Sequence, residues 1–237
     1  MVPLSFGNED FLFLKSGALF WRRHAILLVA DLHLEKGSFY AKEGQFIPPY
    51  DSRETLSRLG DAVRATGARR IITLGDNFHD DEGCERLEPH ARGMLDTLTR
   101  ALDFVWITGN HDPSMEKSCG GRVVEEMEVS GIVLRHRAKK GEARFEMSGH
   151  YHPKIMLNVA RRRISRPCAV MSYNDGFGDG SGRLILPAFG AFTGGMPAGD
   201  PAILRALQPA REIDAVVPTD KRVARFALWR ASGSEAA

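Results

Sequence analysis

The stretch AILLVADLH (25–33) decides the fold, because a strand-like apolar run ends directly in an aspartate and a histidine. Two later strand-like runs, at 69–74 and 103–108, also end in polar residues. The polar sequences that follow the three runs are DLH (31–33), GDNFHD (75–80) and GNHD (109–112). Short apolar runs of this kind are typical of buried strands. Because parallel strands end at one edge of a sheet, we expect the three polar sequences to meet there.

The segments between these runs have helical patterns. An apolar stripe at Leu56, Leu59 and Val63 predicts a helix that ends near residue 67, with Asp51 as its N-cap. Residues 85–102 predict a second helix. Alternation of strand and helix is typical of a parallel sheet with right-handed crossovers.

After residue 122 the pattern changes to short strands separated by turns. The strands predicted there are 122–126, 132–135, 143–148, 155–159, 169–173 and 183–187. An amino-terminal hairpin is predicted from 11–14 and 18–23. We therefore predict an α/β fold, a sandwich of two mixed β-sheets flanked by helices. A single domain is expected over 1–231, followed by a flexible tail at 232–237.

Composition restricts the class of protein. A chain of 237 residues with 43% hydrophobic content is typical of one soluble globular domain, and a net charge of +2 gives no argument for nucleic acid. Three cysteines, an odd number without metal-ligand spacing, predict reduced thiols and a cytoplasmic protein. The sequence MVPLSFGNED (1–10) lacks the pattern of a signal peptide. No apolar run approaches the ~20 residues that span a bilayer, so we expect no membrane partner.

A fourth polar sequence, GHYH (149–152), completes a set of possible metal ligands. Together the four sequences offer aspartate, asparagine and histidine without cysteine, which suits a hard or borderline divalent metal. A dinuclear site needs a bridging ligand, and a carboxylate bridges best, so Asp76 is the candidate. The alternative is that such residues cap backbone groups at loop ends, as Asp and Asn often do.

Taken in order, the four sequences resemble the signature of the calcineurin-like metallophosphoesterases, which runs DxH, GDxxx, GNHD or GNHE, an isolated histidine and GHxH. The resemblance implies two divalent ions bridged by Asp76. The implied ligands are Asp31, His33 and His152 for one ion, and Asn110, His136 and His150 for the other. The match is loose at LRHR (134–137), where the family usually has His-Gly, so a surface histidine is the alternative there.

A narrower likeness lies partly outside these motifs. The bacterial ligase-associated DNA-damage-response endonuclease family PdeM, related to SbcD, resembles the segments DLHLEKGS (31–38), IPPYDSRETL (47–56) and LILPAFGAFTGG (184–195). This likeness implies a nuclease acting on single-stranded DNA or damaged ends, with DNA ligase and helicase as repair partners. The alternatives are a small-molecule phosphodiesterase or nucleotide pyrophosphohydrolase, and a metal-bound scaffold without catalysis. The full ligand set argues against the scaffold.

Two further histidines are candidates for proton chemistry. His111 is free of the implied ligand set and has a reference pKa of ~6.5, so it can protonate the leaving group. His79 lies in GDNFH (75–79), which resembles a form found in SbcD-like nucleases, where the histidine supports the proton donor or the phosphate. The alternative is that His79 caps the following turn. The implied mechanism uses two ions ~3.5–4 Å apart to activate a water. Manganese is the expected metal, and the ligands also suit iron or zinc.

Substrate contacts are less defined. Basic residues cluster at 135–140 and 161–166, and each group is either solvated surface or a binding face for DNA phosphates. Alternation along a strand directs Arg161 and Arg163 to one face, which makes them candidate substrate-binding residues. Glu35 and Lys36 either orient ligands and phosphate or lie in a solvated loop. The sequence does not decide among the possible base-stacking residues Phe39, Tyr40, Phe46, Tyr50, Tyr151, Tyr173 and Phe177.

Overall fold

The first sheet is built from strands that follow one another in both sequence and space. The computed structural model describes residues 1–42, 44–45, 47–115, 119–159, 162–174 and 181–231, and it leaves out the side chains of 158, 159 and 163. The strands of this sheet are β1 (Val2–Phe6), β2 (Glu9–Phe13), β3 (Leu19–Trp21), β4 (Ile26–Val29), β5 (Arg70–Leu74), β6 (Asp103–Ile107) and β7 (Arg122–Val124).

Strand direction within this sheet positions the site. Strands β1 to β4 pair antiparallel, whereas β4, β5, β6 and β7 pair parallel. Leu28 lies opposite Ile72, and Ile72 lies opposite Val105, so residues of β4, β5 and β6 are aligned across the sheet. The three polar sequences after these strands therefore begin at the same edge, as the sequence predicts.

The second sheet also has seven strands, which are β8 (Glu126–Val129), β9 (Ile132–Arg135), β10 (Phe145–Ser148), β13 (Ala169–Tyr173), β14 (Gly182–Ile185), β16 (Glu212–Pro218) and β17 (Val223–Arg230). Their order in the sheet is β17-β16-β13-β14-β10-β9-β8. Strands β9, β10 and β14 are parallel, and the other pairs are antiparallel. Both large sheets are therefore mixed.

A third, small sheet and the helices complete the described elements. The small sheet contains β11 (Pro153–Val159), β12 (Arg162–Pro167) and β15 (Met196–Pro197). The helices are α1 (Lys36–Lys42), α2 (Asp51–Thr66), α3 (Gly83–Arg86), α4 (Pro89–Ala101) and α5 (Pro201–Ala206), with a 3-10 turn at Arg22–His24.

The core shows how the layers are stacked. Leu28 and Ile72 of the first sheet pack in one cluster with Leu134 and Met147 of the second, so the two sheets lie face to face. The opposite face of the first sheet packs on α2 and α4, through a cluster that includes Leu27, Ile71, Leu59 and Leu95. The opposite face of the second sheet packs on α5, through a cluster that includes Val170, Ile185 and Ile203. The predicted sandwich of two mixed sheets flanked by helices is confirmed.

Several predicted elements differ in detail. The helix predicted at 85–102 is divided into α3 and α4, because the Glu88 carboxylate accepts hydrogen bonds from the first amides of α4 and Pro89 begins that helix. Asp51 is not the N-cap of α2. Tyr50 takes that position, and the Asp51 carboxylate accepts a hydrogen bond from Gly37 at 2.9 Å instead. The strand predicted at 122–126 is β7, which pairs with β6 at the edge of the first sheet and so does not join most of the other strands predicted after residue 122 in the second sheet.

The prediction of reduced thiols was wrong for one pair of cysteines. Cys84 and Cys119 form a disulfide with their Cα atoms 6.0 Å apart, and they lie 35 residues apart in the sequence. Cys168 is free and buried, and burial raises its pKa to about 12. Among the described residues, no helix is both long and apolar enough to cross a membrane. The tail predicted at 232–237 lies outside the described residues.

Candidate metal centre

The first two polar loops are joined by backbone hydrogen bonds. The amide of Asp31 donates to the carbonyl of Gly75 at 3.2 Å, and the amide of His33 donates to the carbonyl of Asp76 at 2.9 Å. These loops continue the neighbouring parallel strands β4 and β5. The sheet therefore places Asp31, His33 and Asp76 side by side, and all three are buried.

Left-handed backbone conformations concentrate on the polar loops. The non-glycine residues with positive φ there are Asp31 (54°), His33 (44°), Glu35 (62°), Asp76 (47°), His150 (74°) and His152 (48°). Such a conformation costs roughly 1–2 kcal/mol for an L-residue. All but Glu35 are predicted ligands. Strain collected at one place indicates that the surrounding fold orients these side chains toward a common target.

A glycine in the fourth motif lets one loop approach the carboxylate of another. A Cβ atom at Gly149 would lie only 2.6 Å from Oδ2 of Asp31. In its absence the amide of His150 donates to both oxygens of Asp31 at 3.0 Å. The amide of His111 similarly donates to Oδ1 of Asp76 at 3.0 Å. Both buried carboxylates are thus held in place by backbone donors.

Asp31, His33, Asp76 and His152 form a first cluster, in which one ligand atom from each lies within 4.8 Å of the others. Nε2 of His33 is 3.3 Å from Nε2 of His152 and 3.7 Å from Oδ2 of Asp76. Nε2 of His152 is 3.4 Å from Oδ1 of Asp31. The structure thus brings together the residues predicted to hold one ion, with the predicted bridging carboxylate among them.

Asp76, His136 and His150 form a second cluster. Nε2 of His136 is 3.3 Å from Oδ1 of Asp76, 3.1 Å from Nδ1 of His150 and 3.0 Å from Oδ1 of Asn110. His136 therefore lies in the site and not on the surface, although its local sequence departs from the family pattern. Asp76 directs Oδ2 toward the first cluster and Oδ1 toward the second, as a bridging ligand must.

The donor set fits divalent cations. Burial and then the neighbouring His152 lower the pKa of His33 to about 2, and burial and then His136 lower the pKa of His150 to about 4. Both imidazoles are neutral at pH 7, which is the form that binds metals. Ring nitrogens of His136 and His150 lie 3.1 Å apart, and those of His33 and His152 lie 3.3 Å apart, beside two buried carboxylates. Such close approach is expected where two imidazoles bind the same cation.

His111 and His79 lie beside the first cluster, and one ring nitrogen from each lies within 4.8 Å of a ring nitrogen of His33. Nδ1 of His111 is 3.1 Å from the carbonyl oxygen of His79. Because a carbonyl only accepts, Nδ1 must carry the proton, which leaves Nε2 to exchange a proton with substrate. The two rings stack, with centroids 4.8 Å apart at 26°.

The ring of His79 packs inside the site and not on the following turn. Its centroid is 4.7 Å from that of Phe39 and 5.2 Å from that of Tyr40. Burial and then the neighbouring His111 lower the pKa of His79 to about 4. His79 is therefore neutral at pH 7, and it is placed to orient His111 rather than to act as an acid itself.

Asp112 has a supporting role that the sequence analysis missed. Its Oδ1 accepts a hydrogen bond from the Gly109 amide at 2.7 Å, and its Oδ2 accepts from the amides of Asn77 and Phe78 at 2.8 and 3.1 Å. Burial raises the pKa of this carboxyl group, whereas the hydrogen bonds lower it. Asp112 ties the second and third loops together. Its position in the GNHD motif was the available signal.

Glu35 is not part of a solvated loop. It is buried, its carboxylate accepts a hydrogen bond from Oγ of Ser52 at 2.7 Å, and its amide donates to the same Oγ at 2.8 Å. Burial raises the pKa of Glu35, and hydrogen bonds from Ser38 and Ser52 lower it. The bonds to Ser52 fix the first polar loop to α2, so Glu35 orients the loop that carries Asp31 and His33.

The first basic group is only partly available to a substrate. Arg135 is buried, and its guanidinium pairs with Glu126 at 3.2 Å, Glu142 at 3.1 Å and Glu146 at 3.2 Å. It therefore supports the segment next to His136, and its guanidinium is already paired with these carboxylates.

The second basic group remains a prediction. Arg161 and the side chain of Arg163 lie outside the described residues, whereas Arg162 and Arg166 are exposed on β12.

Comparisons with known proteins agree with this geometry. The family model described as calcineurin-like phosphoesterase matches residues 24–217, and the chain belongs to that family. The crystal structure of Pseudomonas putida nuclease MPE is similar, with a TM-score of 0.66 and 25% identity over 91% of this chain and 95% of that chain. A protein of unknown function from Aquifex aeolicus, AQ665, has a TM-score of 0.39 and 16% identity over 54% of this chain and 78% of its own. No curated protein matched in a sequence comparison. Family and site together identify a metal-dependent phosphoesterase.

Proposed function

We propose that this phosphoesterase is a two-metal nuclease that hydrolyses phosphodiester bonds of DNA. The observation that carries the proposal is the Asp76 carboxylate, which offers one oxygen to each of two adjacent ligand clusters. Similarity to the Pseudomonas putida nuclease over nearly the whole of both chains supports nucleic acid as the substrate. Manganese is the expected metal because oxygen and imidazole ligands suit it, and iron or zinc would also fit.

The residues divide the chemistry between them. Asp31, His33 and His152 would hold one cation, and Asn110, His136 and His150 the other, with Asp76 between them. When bound, the cations would supply a water of lowered pKa and positive charge at the phosphate. The backbone amides of His111 and His150 keep the carboxylates of Asp76 and Asp31, respectively, oriented.

His111 would deliver the proton that the leaving oxygen requires. Its Nδ1–H is committed to the His79 carbonyl, so Nε2 is the atom that transfers the proton. His79, neutral and stacked against the same ring, fixes its orientation. General acid catalysis of this kind contributes roughly 10²–10⁴-fold to the rate.

The biological setting is also part of the proposal. The resemblance of residues 31–38, 47–56 and 184–195 to the ligase-associated endonuclease family supports single-stranded or damaged DNA as the substrate. It also supports a role in DNA repair, with a DNA ligase and a helicase as partners.

A side-by-side assay tests the proposal. Manganese-loaded protein is incubated with single-stranded DNA, duplex DNA, 2′,3′-cyclic nucleotides and bis-p-nitrophenyl phosphate, each with and without EDTA. We expect metal-dependent cleavage of single-stranded DNA with a higher kcat/KM than for the small esters. Hydrolysis of only the small esters would instead identify a small-molecule phosphodiesterase. Stoichiometric metal without hydrolysis of any substrate would identify a scaffold.

A further inference from the structure

Two exposed aromatic side chains that are distant in sequence meet on the surface. Tyr50 is 52% exposed and Phe192 is 36% exposed. Their ring centroids lie 5.7 Å apart, with the planes at 65°. The rings thus form an open corner in which a flat group can lie on one ring while its edge meets the other. Exposed aromatic rings of this kind can serve as platforms on which nucleobases stack.

The segment that carries Phe192 packs against the metal centre. The amide of Phe189 donates to the carbonyl of Ala30 at 2.8 Å, and the amide of Gly190 donates to the carbonyl of Asp31 at 3.2 Å. A Cβ atom at Gly190 would overlap the carbonyl oxygen of Leu32, so glycine permits this close approach. The aromatic corner is therefore attached to the backbone of the first ligand loop.

Two lysines donate hydrogen bonds to the segment that carries Phe192. Nζ of Lys36 donates to the carbonyl of Phe192 at 3.2 Å, and Nζ of Lys154 donates to the carbonyl of Thr193 at 3.4 Å. Lys154 and the predicted ligand His152 line the same cavity of about 170 Å³. Each ammonium has three donors and uses one of them on this segment.

The two ammonium charges are only partly balanced by a carboxylate. Neither ammonium forms an ion pair with a carboxylate among the described residues, although both approach the same short segment. Burial lowers the pKa of Lys36, Asp51 raises it, and the Lys154 ammonium lowers it again. Two like charges that converge in this way are stabilised by a bound anion, and a phosphate between them and the cations would supply it.

We propose that Tyr50 and Phe192 stack an unpaired nucleobase of the substrate, and that Lys36 and Lys154 bind backbone phosphates between that base and the metal centre. This proposal rests on the proposed nuclease function and defines its substrate as single-stranded nucleic acid. A base paired in a duplex does not expose its face, so it cannot enter the corner without being unpaired.

The other described aromatics suggested by the sequence do not offer such a face. Tyr151 is buried, and Phe39 and Tyr40 are partly buried against His79. The hydroxyl of Tyr173 donates to the sulfur of Met171 at 3.2 Å, in the second sheet. Phe46 and Phe177 lie outside the described residues.

A photochemical experiment tests the stacking directly. Full-length protein in EDTA, which prevents cleavage, binds a single-stranded oligonucleotide that contains 5-iodouracil, and near-ultraviolet light couples that base to an aromatic ring in contact with it. We expect cross-links at Tyr50 or Phe192, located by mass spectrometry of the digest. Cross-links only at other residues would overturn the proposal.

Affinity measurements by fluorescence anisotropy provide the quantitative test. The double change Tyr50→Ala, Phe192→Ala should raise the Kd for single-stranded DNA about tenfold or more, since stacking on aromatic rings dominates such contacts. The ring-preserving double change Tyr50→Phe, Phe192→Tyr should bind like the natural protein. The Kd for a duplex of the same sequence should be unchanged. Equal losses for duplex and single strand would contradict a site for an unpaired base.

The lysines are tested through salt dependence. Lys36→Gln with Lys154→Gln should reduce the slope of log Kd against log salt by about 1.4, at ~0.7 per phosphate contact to a single strand. Lys42→Gln is the matched control, because Lys42 lies on the same helix and pairs with Glu82 at 3.3 Å. An unchanged slope in the double variant would overturn the phosphate contacts.

These outcomes separate the two proposals. If the stacking site is wrong, the variants bind and cleave DNA as the natural protein does, and the nuclease function stands. If the nuclease function is wrong, no DNA is cleaved with metal present, whatever the binding variants show. Turnover of bis-p-nitrophenyl phosphate should be unchanged in the control variant Lys42→Gln, because Lys42 pairs with Glu82 and takes no part in the proposed site.

Discussion

Replacement of His111 by alanine separates proton transfer from metal binding. The alanine variant keeps the backbone amide that donates to Asp76 and loses only the ring, with its hydrogen bond to the His79 carbonyl. The loss of that hydrogen bond costs about 1 kcal/mol of unfolding free energy, so the protein should remain folded. The ring belongs to neither of the two clusters that share Asp76, so both cations should remain bound.

The effect on the rate depends on the leaving group. A DNA alkoxide needs a proton, so kcat for DNA should fall by roughly 10²–10⁴-fold. The p-nitrophenolate ion leaves without much help, so kcat for bis-p-nitrophenyl phosphate should fall by about tenfold at most. Both rates are measured at saturating substrate, and metal content is measured by plasma mass spectrometry.

The matched control is His90→Ala, on the exposed surface of α4, which should change neither rate. Equal losses on DNA and on the nitrophenyl ester would refute proton transfer and would assign His111 to phosphate binding. Loss of one metal equivalent would instead make His111 a ligand.

Three further results are expected. Manganese should raise the Tm of the natural protein by several degrees and the Tm of Asp76→Asn by far less. Asp76→Asn should also lose nearly all activity. Equal Tm shifts of the two proteins in calorimetry would contradict the bridging role of Asp76. Glu146 is buried beside Arg135, and burial raises the pKa of its carboxyl group to about 7, above the ordinary value. The stability that the protonated carboxyl group contributes is therefore present at low pH and lost as pH rises through 7. Between pH 5 and pH 8 the unfolding free energy should therefore fall by roughly 1–3 kcal/mol more than in Glu146→Gln, and parallel pH profiles in urea titrations would disprove this. Arg161→Ala with Arg163→Ala should raise the KM for DNA and flatten its salt dependence, without changing turnover of the small ester.

The parts of the fold that sequence could predict are those with strong local signals. Strands β4, β5 and β6 are short apolar runs that end in polar motifs, and each was predicted to within a residue or two of its bounds. Strands β16 and β17, by contrast, do not end in a polar motif, and they were missed. The division between α3 and α4 depends on Pro89 and the Glu88 cap, a local signal that was overlooked.

The remaining features depend on partners that lie on other elements of the fold. From the sequence alone Arg135 resembles a surface residue, whereas in the structure it is paired with Glu126, Glu142 and Glu146. These three carboxylates come from separate segments that only the folded sheet brings together. The pairing of Cys84 with Cys119 likewise requires the loop after β6 to return to α3. The candidate metal ligands could be named from the sequence because chemistry restricts them. The proposed stacking pair could not, because Tyr50 and Phe192 lie in two separate segments and meet only in three dimensions.

The geometry required of the candidate ligands explains why the backbone at the site is strained. Oxygens from Asp31 and Asp76 must approach ring nitrogens from other loops, and the loops reach that geometry only with left-handed backbone at the ligands. Each such residue destabilises the folded state, and so do two buried carboxylates in the absence of cations. The interactions of Asp112 with the second and third loops, and of Glu35 with α2, offset part of this cost. Cation binding would offset the remainder, because it adds attraction only in the folded state. We therefore expect stability and catalysis to depend on the same metals, and substitutions at Asp112 to weaken metal affinity before they unfold the protein.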